Sequence, residues 1–132
     1  MKDLTRKDVI KLIAIATTGL NLTGVKLSGI DLSWLDLKGA CLANTDLVGA
    51  NLIGANLSGA NLCMANLSNA KLMMTNFERA NLTGANLSGA NLEMGSLAMA
   101  DLESTNLSGA CIEQTDLTDV VNFTKQQEKS VL

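Results

Sequence analysis

The strongest constraint in this sequence is a period of five residues that continues without a break over about three quarters of the chain. Every fifth residue from Leu22 to Leu117 is large and apolar, which gives twenty central positions, and eighteen of them are Leu. The residue before the centre is Asn or Asp in fifteen repeats, and Ala stands two before it in eleven. The run ANLIGANLSGANL at positions 50–62 shows the unit most clearly.

A period of five fits neither an α-helix nor a continuous β-strand. On a helix each step of five advances by ~500°, so the central residues would be spread over every side. On a strand an odd spacing would send successive central residues to opposite faces. The chain must therefore turn once per repeat, and the Ser-Gly or Thr-Gly pairs after the centre predict the corner.

If each repeat forms one side of a closed coil, all central residues point towards a common axis. The small residue two positions earlier then lies on the same inward side, because extended chain has a period of two. We predict an apolar core along this axis. Its most regular stretch is formed by Leu52, Leu57, Leu62, Leu67, Leu72, Phe77, Leu82 and Leu87.

The A(N/D)LxG pattern resembles that of the pentapeptide-repeat proteins. The resemblance implies an all-β fold, namely a right-handed quadrilateral β-helix with four repeats per coil and with the central and Ala positions inside. Twenty repeats then make about five coils, a rod about 24 Å long at the usual strand spacing. A leucine-rich repeat is the competing solenoid, but its pattern does not recur every five residues.

The two ends of such a solenoid need covers, since open strand edges pair with other chains. At the front, Asp3 or Thr5 can cap an α-helix. The apolar side of this helix is predicted to consist of Val9, Ile10, Leu12, Ile13 and Ala16. In the first coil larger residues replace Ala and widen the core, namely Leu20, Val25, Ile30 and Leu35.

At the back, Val120, Val121 and Phe123 are predicted to plug the last coil ahead of a polar tail. The predicted organisation is therefore an N-terminal capping helix followed by a β-helix and a C-terminal cap with its tail. The three segments span residues 1–18, 19–120 and 121–132.

Composition excludes most catalytic chemistry. The chain has no His, and so no imidazole base, no His-activated nucleophile and no His-ligated metal. The Leu-filled core leaves no cavity for a substrate. We therefore expect a protein that is not an enzyme, with no catalytic or metal-binding residues, no cofactor and no small-molecule substrate.

The three cysteines are predicted to be free thiols at outward positions. The Cα atoms of Cys41 and Cys63 would lie about 8 Å apart, beyond the ~7 Å limit for an unstrained disulfide. Unpaired thiols favour a cytoplasmic location. A secreted or periplasmic form stays open, because basic residues precede a short apolar run at positions 12–16.

The outer surface can be divided into columns, because residues twenty apart stack when four repeats make a coil. One side then collects large apolar residues, which we call the Trp–Met face. Its members are Trp34, Ile53, Met73, Met74 and Met94. Exposed apolar patches mark binding sites, and Met suits adaptable contacts. The alternative is that a terminal segment folds over this face.

A second surface is rich in Ser, Gly and Asn. We predict that Asn66, Asn86 and Asn106 hydrogen-bond to one another along the stack, as Asn ladders do in cross-β structures. A flat hydroxyl array that binds ice or sugar is the alternative for this surface.

Charge is unevenly distributed. Residues 19–120 carry ten acidic and four basic side chains, a net −6, whereas the whole chain is −3. This balance, with aromatic residues at only 2%, argues against nucleic-acid binding. No apolar run approaches the roughly eighteen residues that span a bilayer, so no membrane partner is expected.

These observations favour a non-catalytic scaffold that binds an unidentified protein partner through the Trp–Met face, with a homodimer through one solenoid end as a further expectation. Some proteins of the resembled family imitate DNA and bind type II topoisomerases. The alternative is therefore an inhibitor or protector of DNA gyrase that acts in quinolone resistance. This chain is shorter, lacks projecting loops and has sparser acids than that group. The resemblance also suggests a cyanobacterial type of protein.

Overall fold

The computed structural model describes residues 3–132, and the repeats in it form a β-helix. In each repeat one residue forms isolated parallel β-bridges to the neighbouring coils, and the described residues form no longer strand. The residue before each centre pairs with the residue twenty positions later, from Asn21↔Cys41 through to Asp101↔Val121. Twenty residues are four repeats, so this register agrees with the four repeats per coil that the resemblance implies.

The centre of the coil is a continuous apolar core. All eight residues predicted to form its most regular stretch are fully buried, namely Leu52, Leu57, Leu62, Leu67, Leu72, Phe77, Leu82 and Leu87. The Ala positions beside them are buried as well. Near the C-terminal end, Ile112 and Leu117 are only partly buried because fewer coils cover them.

Threonine replaces Ala at several inward positions without leaving a polar group unpaired. Thr75 Oγ1 donates to the carbonyl oxygen of Leu52 at 2.7 Å, and Thr105 Oγ1 donates to that of Leu82 at 2.7 Å. Both bonds reach back to the preceding coil. A buried hydroxyl therefore gains a partner instead of the desolvation cost that an unpaired one would carry.

The second corner residue of every repeat has a positive φ. The turn is closed by a backbone bond such as that from Val25 N–H to the Leu22 carbonyl, 3.1 Å, and a positive φ at the third turn residue is the requirement of a type II turn. Glycine fills some of these positions, but Trp34 (φ 62°) and Met74 (φ 58°) adopt the same left-handed conformation.

The outward Asn and Asp side chains fix the corners that follow them. Asn51 Oδ1, for example, accepts the N–H of Ile53 at 3.0 Å. The ladder predicted for Asn66, Asn86 and Asn106 does not form among the described residues. Each of these side-chain oxygens accepts a backbone N–H two residues later instead, because that donor is already positioned by the turn.

Helix α1 spans Arg6–Ile15 and packs over the first coil. Of the two predicted caps, Thr5 is the N-cap, and its side chain and that of Asp8 form a reciprocal capping box. Val9 is fully buried. The predicted apolar side is wrong at two positions: Ile10 is 43% exposed, and Ala16 is an exposed C-cap beyond the helix.

An ion pair holds α1 to the first coil. Arg6 Nη1 lies 3.3 Å from Asp31 Oδ1 and donates to the Asp31 carbonyl oxygen at 3.1 Å. The pKa of Asp31 is lowered, chiefly by hydrogen bonds from the Ser33 hydroxyl and N–H, with a smaller contribution from the Arg6 charge. The corresponding bonds from Thr118 lower the pKa of Asp116.

Helix α2 spans Lys125–Ser130, within the segment predicted to be a polar tail. It docks on the last coil through Gln127, whose Nε2 donates to the carbonyl oxygens of Leu102 at 2.7 Å and Thr105 at 3.1 Å. The Ser130 carbonyl oxygen accepts the Gly109 N–H at 2.8 Å. The tail thus supplies hydrogen-bond partners to backbone groups of the last coil, which have no following coil to pair with.

The predicted C-terminal plug is correct for two of its three residues. Val120 and Phe123 pack against the core, and Val131 joins them from beyond α2. Val121 is the exception, because it occupies the outward bridge position opposite Asp101 and is 46% exposed. The repeat register, which continues to this residue, sets its direction.

Candidate partner-binding surface

Neither a metal cluster nor a disulfide is found among the described residues. No three Cys, Asp or Glu side chains of residues 3–132 lie together in a way that could hold a metal ion. The three cysteines are free and partly exposed, and Cys41 Sγ lies 3.0 Å from Thr23 Oγ1. Within this part of the chain neither helix is long and apolar enough to cross a membrane.

The Trp–Met face is built on a ladder of backbone hydrogen bonds along one corner of the coil. Each of four bonds joins a residue of one column to a residue of the neighbouring column one coil later, at 2.9–3.1 Å. The bonds are Trp34 N–H to Ile53 O, Gly54 N–H to Met73 O, Met74 N–H to Glu93 O and Met94 N–H to Glu113 O. The face is therefore held on regular, paired backbone.

The apolar side chains of this face are open to solvent. Trp34 is 67% exposed, Met74 is 41% exposed and Met94 is 47% exposed, while Ile53 and Met73 are partly buried. Neither α1 nor α2 covers them. The alternative that a terminal segment folds over the face therefore does not hold for the described residues.

The indole of Trp34 lies directly over Gly54, which stands one coil later in the same column. A Cβ built on Gly54 would come within 2.2 Å of the indole ring. The missing side chain at Gly54 thus leaves the space that the ring occupies. The sequence placed these two residues in one column, but the contact depends on a ring orientation that spacing does not give.

We expect Gly54→Ala to displace the Trp34 ring, whereas Gly59→Ala leaves it in place. Both glycines have a φ near 66–67°, so both variants carry the same backbone strain, but nothing lies within 4 Å of a Cβ at Gly59. Each should lose about 1 kcal/mol in stability. Only Gly54→Ala should shift the tryptophan emission of the folded protein. Equal spectra for the two variants would contradict this packing.

A further exposed methionine lies on the opposite side of the coil and was not included in the predicted face. Met64 is 59% exposed, and its Sδ lies over Gly84 in the way that Trp34 lies over Gly54. It stands ten residues from Met74, half of a twenty-residue coil. The column spacing already predicts its outward position. It has no large apolar neighbour in its own column, which holds Gly24, Asn44, Gly84 and Ser104.

Charge is graded along the rod. Between Arg79 and Lys125 the sequence has no basic residue, but it has six acidic ones. They are Glu93, Asp101, Glu103, Glu113, Asp116 and Asp119. Two of them, Glu93 and Glu113, stand in the column beside Met74 and Met94. Within the two columns of the Trp–Met face, acidic residues therefore occur only towards the C-terminal end.

The family model and the similar solved structures agree on one family. A model described as "Pentapeptide repeats" matches residues 18–52, 30–69, 65–94 and 80–119. A pentapeptide repeat protein from the Arabidopsis thaliana thylakoid lumen is similar to the chain, with 35% identity over 86% of this chain and 74% of that one and a TM-score of 0.54. No curated protein gives a significant match.

Two other solved structures are similar in part. A pentapeptide repeat protein from Nostoc PCC 7120 is 32% identical over 93% of both chains, with a TM-score of 0.42. QnrB1, described as a plasmid-mediated fluoroquinolone resistance protein, is 20% identical over 81% of this chain and 61% of its own, with a TM-score of 0.46.

Proposed function

The chain belongs to the pentapeptide-repeat family, and we propose that it is a non-catalytic scaffold whose Trp–Met face binds a protein partner. The observation that carries this proposal is the exposure of Trp34, Met74 and Met94 together on one hydrogen-bonded corner. Exposed apolar side chains gathered in one patch are characteristic of interaction surfaces.

The scaffold is proposed to be a right-handed quadrilateral rod of about five coils, in which residues 1–18 form the N-terminal cap, 19–120 the β-helix and 121–132 the C-terminal cap. We place it in the cytoplasm, because its three thiols are free. A homodimer through the C-terminal end is also proposed, supported by the partly exposed Val120 and Phe123 on the last coil.

A rigid support favours binding at this surface. The corner residues are fixed by backbone bonds to the next coil, and the core beneath them is fully buried. The backbone then loses little conformational freedom when a partner docks, which reduces the entropic cost of association. The long Met side chains still adjust to the shape of the partner.

The second candidate function is a DNA-mimicking inhibitor or protector of DNA gyrase. It is favoured by the six acidic residues between Arg79 and Lys125, which no basic residue interrupts. A gyrase supercoiling assay with and without a quinolone separates this function from the first. Unchanged activity under both conditions would exclude it.

We expect the double substitution Met74→Asn with Met94→Asn to abolish capture of the partner from a native lysate, as measured by quantitative mass spectrometry. Asn removes the apolar side chain and tolerates the positive φ of 58° at both sites. The matched control is Met64→Asn with Ser104→Asn, two left-handed corner residues on the opposite side of the coil.

The control should capture the same proteins as the unmodified chain. If the Met74/Met94 variant retains every protein that the control retains, the Trp–Met face is not the binding site. Circular dichroism of both variants establishes that each is folded before capture is compared.

A further inference from the structure

We propose that the segment bound on the Trp–Met face is a basic amphipathic α-helix that lies along the axis of the rod. This inference rests on the proposed function, since it names the chemistry of the partner at that surface. It draws on the backbone pairing of the corner, the spacing of the coils and the position of the acidic residues.

Four backbone N–H groups along this corner are already paired, which disfavours an added β-strand. The N–H groups of Trp34, Gly54, Met74 and Met94 all donate to carbonyl oxygens of the next coil. The accepting carbonyls in the neighbouring column are occupied by the same bonds. At these four residues an added strand would find no free N–H group for its own carbonyl oxygens. A helix satisfies its backbone internally and offers only side chains.

The spacing of the coils matches the spacing of residues along one side of a helix. Neighbouring coils are about 4.8 Å apart, the usual distance between paired strands. Residues three or four apart on an α-helix are separated by about 4.5–6 Å along its axis. Successive apolar residues of a helix can therefore contact successive coils. The column from Trp34 to Gln114 spans four such steps, about 19 Å, which is the length of about thirteen helical residues.

The charges of the face favour a basic helix. Glu93 and Glu113 stand beside the Met column and form no ion pair with another described residue. Asp31, at the other end of the face, is already paired with Arg6. Among the described repeat residues, Lys71 is the one basic residue at the outward positions of this side. A helix with apolar residues over Trp34 and Met74 and with Lys or Arg near the acidic end would complement the surface.

A designed peptide tests this directly. The probe is a fourteen-residue helical peptide of Leu and Lys, with the leucines at helical spacing, and the signal is the emission of Trp34, the only tryptophan of the chain. We expect a saturable change in emission that weakens as salt is raised. Two further peptides serve as controls: a Leu and Glu helix, and an alternating Val and Lys peptide that favours extended structure.

Two substitution pairs locate the contact. Met74→Asn with Met94→Asn should weaken binding of the Leu and Lys peptide about tenfold or more, because apolar contact is lost. Glu93→Gln with Glu113→Gln should weaken it less and flatten its salt dependence. Met64→Asn with Ser104→Asn should leave both unchanged.

The helix proposal is overturned if the Leu and Lys peptide does not saturate, if the Leu and Glu peptide binds equally well, or if the extended peptide binds more tightly. Such a result leaves the proposed function intact where capture from lysate still depends on Met74 and Met94. If capture of the partner from lysate does not depend on Met74 and Met94, the proposed function is overturned instead, whatever the peptides show.

Discussion

Phe77→Ala is expected to lower the free energy of unfolding by about 3–5 kcal/mol. Phe77 is fully buried in the middle of the core, with coils above and below it. Alanine would leave a cavity that the paired backbone of these coils cannot easily close. Urea denaturation followed by circular dichroism measures the change.

The control for this prediction is Phe77→Leu. Leucine is the central residue in eighteen of the twenty repeats, so it fits the same inward position, and the cost should stay below about 1.5 kcal/mol. If the alanine and leucine variants lower the free energy of unfolding by the same amount, the core around Phe77 is not packed as tightly as the structure shows.

Val9→Asp is expected to detach α1 from the first coil and to cost about 2–4 kcal/mol. Val9 is the one fully buried residue of the helix, and the core formed by residues 3–132 contains no basic side chain that could pair with a carboxylate there. Undocking would uncover the apolar residues of the first coil. Hydrogen exchange at Leu22 and Leu27 measures this exposure.

Ile10→Asp is the matched control, because it places the same charge on the same turn of α1. Ile10 is already 43% exposed, so stability should change by no more than about 0.5 kcal/mol. Equal losses for the two variants would mean that helix propensity, rather than docking through Val9, determines the effect.

The repeat region could be predicted from the sequence because one physical requirement recurs in every unit. A large apolar residue at every fifth position can be buried only if the chain turns once per repeat. The burial of Leu52 and Phe77 follows directly from that periodicity. The widened first coil at Val25 and Ile30 was also readable, since larger residues replace Ala there and pack against the core.

The ends were harder to predict because they lie outside the repeat. Helix α2 has six residues, too few to show an amphipathic period. Its capping box, Thr124 with Gln127, was nevertheless readable as a Thr-x-x-Gln pattern. The apolar character of Val121 predicts that it covers the end of the core, but the register of the β-bridges places its side chain on the outside.

The sequence predicts which residues share the columns of the candidate surface, but it does not predict how their side chains are arranged. Counting by twenty placed Trp34, Met74 and Met94 together. It could not show that the Trp34 ring lies over Gly54, because this depends on side-chain rotation. Nor could it show that no terminal helix covers the face, because the docking of α1 and α2 depends on single contacts such as that of Arg6 with Asp31.

Site-specific photo-crosslinking tests the central claim most directly. Benzoylphenylalanine is introduced in place of Met74 or, in a second protein, in place of Met64, two exposed left-handed corner residues on opposite sides of the coil. Irradiation in a native lysate should crosslink a partner to the protein that carries the label at position 74. The protein that carries the label at position 64 should not be crosslinked to this partner. Equal crosslinking from both positions, or crosslinking from position 64 alone, would contradict the assignment of the Trp–Met face.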